Sequence, residues 1–272
     1  MRLQDSLTLH GPSSFPVYLH LLGHTLHPHF AFELLGYLVG LLAFLILRAL
    51  HGDSVLAPVR LSVIAAAFAG GAAGSRVLYL VEDPSMLLAR WRDPHVLLGG
   101  KTILGGLLGG WAAVEWMKSF VGEHAPTGDL LAAPLCLGIA VGRIGCFLTG
   151  LGDRTYGSPT LLPVGVDFGD GVLRHPTQLY ESFFLLALVP VLLWLMAPRG
   201  GPRAFVRRGD VFKAFMAAYC TFRLFVDFLK PSDPVVLLGL KSLQWAALAG
   251  VLAVLWARWS PRGVKAGGVG DE

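Results

Sequence analysis

Long apolar stretches separated by short polar connections make up most of the chain. An α-helix needs about 20 consecutive apolar residues to cross the hydrocarbon core of a bilayer. Seven stretches approach this length, at roughly 30–48, 61–81, 97–119, 130–150, 178–197, 210–230 and 237–257. The second and third are the weakest, because they contain Arg76 or Lys101 and are rich in glycine. The pattern predicts an all-α integral membrane protein with seven transmembrane helices in a single domain over residues 1–272.

Composition and charge support this class. The chain is 54% hydrophobic and only 15% charged, whereas about a quarter of the residues of a soluble domain are charged. Lys and Arg are most frequent in the connections after the odd-numbered stretches, above all in the segment 199–208. The positive-inside rule therefore predicts an outside N-terminus and a cytoplasmic C-terminus, with the connection 151–177 as an extramembrane loop on the outer side. Because the basic residues are spread over short loops, no nucleic-acid partner is expected.

The cysteines and the segment before the first stretch are interpreted as structural. Cys136, Cys146 and Cys220 lie inside apolar stretches without C-x-x-C spacing. This predicts small packing residues and no disulfide framework or metal site. The segment 15–29 mixes apolar residues with four histidines, which fits an interfacial helix or loop better than a membrane span.

Charged side chains inside the apolar stretches are the first candidates for function, because each must find a partner or water within the membrane. Arg143 lies in the fourth stretch, and Cys146 follows three residues later on the same helical face. Glu181 lies in the fifth stretch and Lys101 at the start of the third. We expect these charges to gather with Arg223 near the outer end of the bundle.

The sixth stretch carries a polar stripe, since Tyr219, Arg223, Asp227 and Lys230 recur at i, i+4, i+8 and i+11. The structural alternative is that Asp227 only pairs with Arg223 or Lys230 on its own helix. Clustered Arg and Lys between helices are typical of sites for phosphorylated lipid headgroups. The residues alone therefore predict a membrane site for an anionic amphiphile.

Four motifs, in order along the chain, resemble those of one known family. Residues 74–79 are similar to G-A-R-x-x-Y, and residues 142–150 to the signature G-R-x-G-N-F-x-N-G. Residues 174–181 resemble R-H-P-x-Q-L-Y-E, and residues 219–230 resemble Y-x-x-x-R-x-x-x-E-x-x-R with two conservative replacements. By this ordered set the chain is identified as a member of the prolipoprotein diacylglyceryl transferase family (phosphatidylglycerol–prolipoprotein diacylglyceryl transferase).

The resemblance implies a multi-pass transferase of the bacterial inner membrane. The family moves a diacylglyceryl group from phosphatidylglycerol to the cysteine thiol of a prolipoprotein signal peptide, and it uses no metal or organic cofactor. For this chain the donor is expected to be phosphatidylglycerol or a related anionic phospholipid. Carried onto this sequence, Arg143 and Arg223 hold the lipid phosphate in the reaction. The resemblance assigns a larger set to substrate binding: Arg76, Gly142, Gly145, Cys146, Gly157, Gln178, Tyr180, Glu181, Tyr219 and Gln244.

The chain departs from the family pattern at three presumed pocket positions. Leu104 stands where the family has a histidine used in activating the thiol, Cys146 replaces the signature asparagine, and Glu33 replaces a tyrosine. Glu33 and Lys101 have complementary charges, so one hypothesis pairs them and lets Glu33 take the acceptor's proton. A purely structural ion pair is the alternative. His175 is a further candidate base.

Two other functions stay open from the sequence. One is a paralogue that acts on a different acceptor, such as another thiol, an amine or a glycan hydroxyl. The other is a catalytically inactive membrane protein that binds anionic phospholipid after loss of the histidine. The loop 151–157, which lacks the family's glutamate, adds to the signs of a rewired site.

Overall fold

A computed structural model of the chain describes residues 15–21, 23–52, 57–82, 84, 87–88, 92–93, 100–197, 206–231 and 235–259. In this part of the chain seven long α-helices follow one another: α1 (Pro28–His51), α2 (Ala57–Glu82), α3 (Ile103–Val121), α4 (Asp129–Thr149), α5 (Thr177–Met196), α6 (Asp210–Val226) and α7 (Ser242–Trp259). Each coincides with one predicted apolar stretch. The third differs most at its start, since α3 begins at Ile103 and residues 94–99 lie outside the described residues.

The distribution of side chains is that of a membrane protein. Among the described residues, four segments are long and apolar enough to cross a membrane: Pro28–His51, Pro58–Glu82, Asp129–Asp153 and Thr177–Met196. Large apolar side chains point outward, among them Phe68 at 73% and Trp116 at 66% exposed, whereas Glu181 and Asp227 are fully buried. Charged groups inside and apolar groups outside suit a surrounding bilayer, because polar groups facing lipid would lack partners.

Three short antiparallel hairpins precede helices. The pairs are β1 (Leu19–Leu21) with β2 (His24–Leu26), β3 (Val166–Asp167) with β4 (Leu173–Arg174), and β5 (Val235–Leu237) with β6 (Leu240–Lys241). The segment 15–29, predicted as an interfacial helix or loop, thus contains a hairpin that leads into α1. The seventh apolar stretch is predicted from 237, but α7 begins at Ser242 because the third hairpin occupies the residues before it.

Glycines let two pairs of helices approach backbone to backbone. Between α1 and α4, a Cβ added at Gly36 would lie 2.6 Å from the carbonyl oxygen of Gly138. Between α2 and α3, a Cβ added at Gly109 would lie 2.7 Å from Cα of Gly74. Neither place has room for a methyl group, so small residues set the close crossing of both pairs.

The start of α3 is fixed by contacts with α2. Oγ1 of Thr102 accepts a hydrogen bond from the backbone N–H three residues on, at 3.2 Å, as helix N-caps do. The backbone N–H of Thr102 donates to Oγ of Ser75 at 2.9 Å, and Nη1 of Arg76 donates to the carbonyl oxygen of Gly100 at 2.7 Å. These bonds hold the residues that lead into α3, including Lys101, against α2.

Helix α4 carries both apolar core and charge. It packs against α1 and α5 and also contacts α6. The core between these helices includes Ala140 of α4, Leu185 of α5 and Phe215 of α6. Arg143 lies on α4 only three residues beyond Ala140 and is also buried. The fold therefore places a guanidinium directly beside an apolar core.

We expect Gly109→Ala to lower the free energy of unfolding in detergent by about 1–3 kcal/mol, because the added methyl group overlaps the α2 backbone. Gly106→Ala is the matched control on the same helix, since its Cβ would meet the nearest atom at 3.5 Å, an ordinary contact. Thermal unfolding of the solubilised protein measures both variants. Equal midpoints would contradict the close α2–α3 packing.

Candidate functional site

Two arginines from different helices face one carboxylate in the interior of the bundle. Nη2 of Arg143 on α4 lies 3.1 Å from Oε2 of Glu181 on α5, and Nη1 of Arg223 on α6 lies 3.9 Å from the same oxygen. The hydroxyl of Tyr219 donates a 2.7 Å hydrogen bond to Oε1 of Glu181. All four side chains are buried. The two arginines predicted to act together are therefore held side by side by a shared counter-charge.

A second carboxylate, Asp227, holds the other end of this group. Arg223 donates to it through Nη2 at 2.8 Å and through Nε at 3.3 Å, and Nζ of Lys230 lies 3.6 Å from Oδ1. Nζ of Lys241 donates to the main-chain oxygen of Asp227 at 2.8 Å. Because α6 gives way to a 3-10 turn at Asp227–Leu229, the stripe predicted on one continuous helix is divided between helix and turn. Its residues nevertheless stay in contact.

Positive charge exceeds negative charge in this cluster. Four cationic side chains accompany two carboxylates: Arg143, Arg223, Lys230 and Lys241 with Glu181 and Asp227. Nε and Nη2 of Arg143, both amide atoms of Gln178 and Oε2 of Glu181 are buried without a hydrogen-bond partner among the described residues. The 3.1 Å approach of Arg143 to Glu181 is thus an ion pair without an aligned hydrogen bond. Unsatisfied buried donors cost about 1–3 kcal/mol each, a cost that a bound anion would remove.

Gln244 supports this cluster from α7. Its Oε1 accepts a hydrogen bond from the backbone N–H of Lys241 at 3.0 Å, and its Nε2 donates to the carbonyl oxygen of Leu224 at 3.0 Å. Both ends of the amide are therefore engaged with backbone. The contacts tie α7 to α6 and fix the approach of Lys241 to Asp227.

The complementary residues Glu33 and Lys101 form an ion pair, as predicted from their charges. Nζ of Lys101 donates a hydrogen bond to Oε1 of Glu33, and the hydroxyl of Tyr37 donates to the same oxygen at 2.8 Å. Oε2 of Glu33 lies 3.7 Å from Nε2 of His29. The side chain of Lys101 is 55% exposed, so this pair lies at an open edge and outside the buried arginine cluster.

His29 is a functional candidate that was not predicted from the sequence. Its Nδ1 lies 3.0 Å from Oδ1 of Asp153 and 3.8 Å from Sγ of Cys146. Sγ of Cys146 in turn accepts a contact from Nη1 of Arg143 at 3.5 Å. The i, i+4 spacing of His29 and Glu33 was a signal available in the sequence. The fold supplies the rest, because Cys146 lies 117 residues away along the chain.

These contacts join into one polar chain in which no step exceeds 3.9 Å. Its members, in order, are Lys101, Glu33, His29, Cys146, Arg143, Glu181, Arg223, Asp227 and Lys230. This polar chain runs from Lys101, just before α3, through the partly exposed start of α1 to the buried turn after α6. Cys146 links its two halves. The position that replaces the signature asparagine is therefore the point where the halves meet.

Gly142 and Gly145, both predicted in the site, have different surroundings. A Cβ added at Gly142 would meet no atom within 4 Å, whereas one added at Gly145 would lie 2.6 Å from Cβ of Phe32. Gly145 therefore serves the contact of α4 with α1. Gly142 leaves open space beside Arg143, which gives a ligand access to the backbone there.

The loop before α5 positions other predicted residues. Nδ1 of His175 lies 3.0 Å from the hydroxyl of Tyr180, and a Cβ added at Gly157 would lie 2.6 Å from Cβ of His175. Arg174 pairs with the exposed Asp170 at 2.6 Å, and its guanidinium lowers the pKa of the Asp170 carboxyl. His175 is thus fixed by its neighbours Gly157 and Tyr180 at the start of α5.

Leu104 occupies the position of the missing family histidine. It is fully buried and belongs to the apolar core together with Leu185 and Tyr219. An apolar side chain at this position cannot accept a proton. Arg76, predicted near the lipid phosphate, donates to Gly100 in the segment that leads into α3.

Comparisons with known proteins agree with the motifs. The family model for prolipoprotein diacylglyceryl transferase matches residues 16–260. Relatives named phosphatidylglycerol–prolipoprotein diacylglyceryl transferase include one from Paracidovorax citrulli (strain AAC00-1), 32% identical over 67% of this chain and 67% of its own length. Another, from Methylobacillus flagellatus, is 31% identical over 90% of this chain and 95% of its own length.

Some matches are shorter. The relative of the same name from Nitrosomonas europaea is 31% identical over 66% of this chain, and the aligned part spans 63% of that protein, slightly less than two thirds. No solved structure matches the chain. The family match covers most of the described residues, including every member of the polar chain. The chain belongs to the prolipoprotein diacylglyceryl transferase family.

Proposed function

We propose that this protein transfers a diacylglyceryl group from phosphatidylglycerol to the cysteine thiol of a prolipoprotein, and releases glycerol phosphate. The observation that carries the proposal is the buried cluster around Glu181, where cationic side chains outnumber carboxylates by two. Such a surplus is unfavourable in a bilayer unless an anion occupies the site. Membership of the family supports the phosphate of the lipid donor as that anion.

The reaction needs stabilisation of the leaving group. As the bond between the glyceryl carbon and the phosphate oxygen breaks, negative charge grows on the phosphate, and preorganised donors stabilise this charge most effectively. Arg223 is occupied by its three hydrogen bonds to Asp227, while Nε and Nη2 of Arg143 have no described hydrogen-bond partner. We therefore assign direct phosphate contact to Arg143, with Arg223 and Lys230 supplying the surrounding field.

The open side of α4 gives the lipid its approach. A Cβ added at Gly142, the residue before Arg143, would meet no atom within 4 Å, which supports entry of the headgroup on this side of α4. The amide of Gln178, buried without a partner among the described residues, offers a donor and an acceptor for glyceryl oxygens. Glu181 holds Arg143 in place through their ion pair.

The acceptor thiol must lose its proton, because the thiolate is the nucleophile. The groups placed for this task lie on the other half of the polar chain, where His29 and Glu33 are partly exposed. Glu33 is held by Lys101 and Tyr37, which suits a fixed negative charge. Cys146 connects this half to Arg143, so thiol activation and phosphate binding are adjacent.

We place all seven helices across a bacterial inner membrane, with the N-terminus outside and the C-terminus in the cytoplasm. The basic segment 199–208 supports this orientation. Four helices support the spans by length and composition. The shorter and more polar α6 carries Arg223, and its burial among neighbouring helices makes a lower hydropathy acceptable.

A second candidate function is phospholipid binding without transfer. Leu104 favours it, because the family's histidine position is here part of the apolar core. In that case the arginine cluster still holds an anionic headgroup, but no group activates a thiol. A different acceptor is the third possibility, and the same assay separates it from the other two.

Complementation tests the proposed function. Expression of the chain in a bacterial strain depleted of its own diacylglyceryl transferase is expected to restore growth and the lipidation of a reporter prolipoprotein. Failure of the well-expressed protein to lipidate the reporter, together with retained binding to phosphatidylglycerol vesicles, would contradict the proposal and favour one of the alternatives.

Substitution of the arginines tests the phosphate site. We expect Arg143→Gln to lower the rate of diacylglyceryl transfer by roughly 100-fold, because it removes a donor to the leaving phosphate. Arg60→Gln is the matched control, since Arg60 is equally buried but donates to the main-chain oxygen of Thr127 at the other side of the fold's core. The rate is measured with purified, vesicle-reconstituted protein. Equal rates for the two variants would rule out direct phosphate contact by Arg143.

A further inference from the structure

Three side chains with metal-binding donor atoms meet at the end of α4. His29, Cys146 and Asp153 each present one donor atom, and these atoms lie within 4.8 Å of one another. Nδ1 of His29 is 3.0 Å from Oδ1 of Asp153 and 3.8 Å from Sγ of Cys146. The residues come from the first turn of α1, the last turn of α4 and the 3-10 turn Gly150–Asp153. The packing of α1 against α4 therefore brings His29 next to Cys146 and Asp153, which lie far from it in the sequence.

We propose that His29, Cys146 and Asp153 bind a zinc ion. Imidazole nitrogen, thiolate sulfur and carboxylate oxygen are the ligands zinc takes in proteins, at about 2.0–2.3 Å. Donor atoms of a tetrahedral site with such bonds lie roughly 3.3–3.8 Å apart, close to the two separations given above. A thiolate and a carboxylate together balance the two charges of the ion. The thiolate of Cys146 has the guanidinium of Arg143 as a further neighbour.

The surroundings of His29 fit a metal ligand. A ligating histidine almost always directs its second ring nitrogen to a carboxylate, a carbonyl or water, which fixes the tautomer. Here Nδ1 faces the other two donors, while Nε2 lies 3.7 Å from Oε2 of Glu33. Glu33 is itself fixed by Tyr37 and Lys101. The family pattern lacks the ion pair of Glu33 and Lys101. In this chain the pair orients the ligand His29 from outside the metal site.

The site has a free fourth position. Catalytic zinc sites use three protein ligands and leave one position for water or substrate. The side chain of His29 is 34% exposed, whereas that of Asp153 is 8% exposed, so the cluster is accessible at His29. On the basis of the proposed function, we assign this fourth coordination position to the thiol of the acceptor. A thiol that coordinates zinc is deprotonated outright, so the ion replaces the histidine lost at Leu104.

The proposed transfer begins at the acceptor thiol. The acceptor thiol releases its proton to solvent when it binds zinc, and its sulfur keeps the electron pair. That sulfur attacks the carbon of the diacylglyceryl group that is bonded to the phosphate oxygen, and it forms a C–S bond there. The C–O bond to the phosphate breaks, and its electron pair leaves with the phosphate oxygen beside Arg143. The thioether product is a weaker ligand than a thiolate, which allows it to depart.

Metal content and cobalt spectroscopy of the purified full chain test this site. We expect about one zinc per chain for the wild type, as in sites with three protein ligands. Replacement by Co²⁺ is expected to give the near-ultraviolet charge-transfer band of a cobalt–thiolate bond. Cys146→Ala is expected to lose both the metal and the band, and Asp153→Asn and His29→Gln to lose the metal. Cys136→Ala is the control, because Cys136 is also a buried thiol on α4 but lies outside the cluster.

The outer shell gives an independent measure. Glu33→Gln keeps all three ligands and is expected to weaken zinc binding by about 10–100-fold, measured by competition with a chelator. The helical circular dichroism of each variant shows whether it is folded, so loss of metal from a folded Cys146→Ala protein is informative.

Different results would contradict the zinc site and the proposed function. A metal-free wild type that transfers diacylglyceryl groups at full rate in excess chelator overturns the zinc site and makes His29, hydrogen-bonded to Asp153, the base. Equal metal content in Cys146→Ala and Cys136→Ala overturns it as well. A protein that holds zinc and shows the cobalt band, yet lipidates no prolipoprotein, supports the site and contradicts the proposed function instead.

Discussion

A guanidinium buried between apolar helices has to be neutralised there, and for Arg143 the neutralising group is Glu181. Removing Glu181 would leave Arg143 as an uncompensated charge, which costs several kcal/mol in a buried site. Glu181 also faces Arg223 and accepts a hydrogen bond from the hydroxyl of Tyr219. This one carboxylate therefore positions groups from both α4 and α6. The rest of the polar chain extends from this point in both directions.

The packing of the helices serves this arrangement. Glycines on α1 and α4 bring the two backbones together, and that close approach places His29, at the start of α1, beside Cys146 on α4. The 3-10 turn after α4 brings Asp153 back toward His29, whereas Asp227 reaches Arg223 through the i, i+4 spacing of the helix itself. A continuous α4 would carry the Asp153 carboxylate onward along its axis and away from His29.

The sequence predicted the helices because each apolar stretch has the length of a span, and it predicted Arg143, Glu181 and Arg223 because charges in such stretches need partners. It also predicted the pairing of Glu33 with Lys101 from their unusual complementary charges. The hairpins were not predicted, since two or three residues in a strand leave no periodicity to detect. The contact of His29 with Cys146 and Asp153 was not predicted either, because it depends on how closely α1 and α4 cross. The apolar pattern predicted Cys146 as a packing residue and the family resemblance placed it among the substrate-binding residues, whereas its contacts with His29 and Arg143 make it the link between two polar groups.

In the proposed function, the phosphate of the lipid donor binds at Arg143, next to Cys146. An experimental structure of the protein with bound phosphatidylglycerol tests it most directly. The account predicts the phosphate within about 3 Å of Nε or Nη2 of Arg143, with the glyceryl carbon toward Cys146. A phosphate bound elsewhere, with the ion pair of Arg143 and Glu181 unchanged and no ligand beside Gly142, would contradict it.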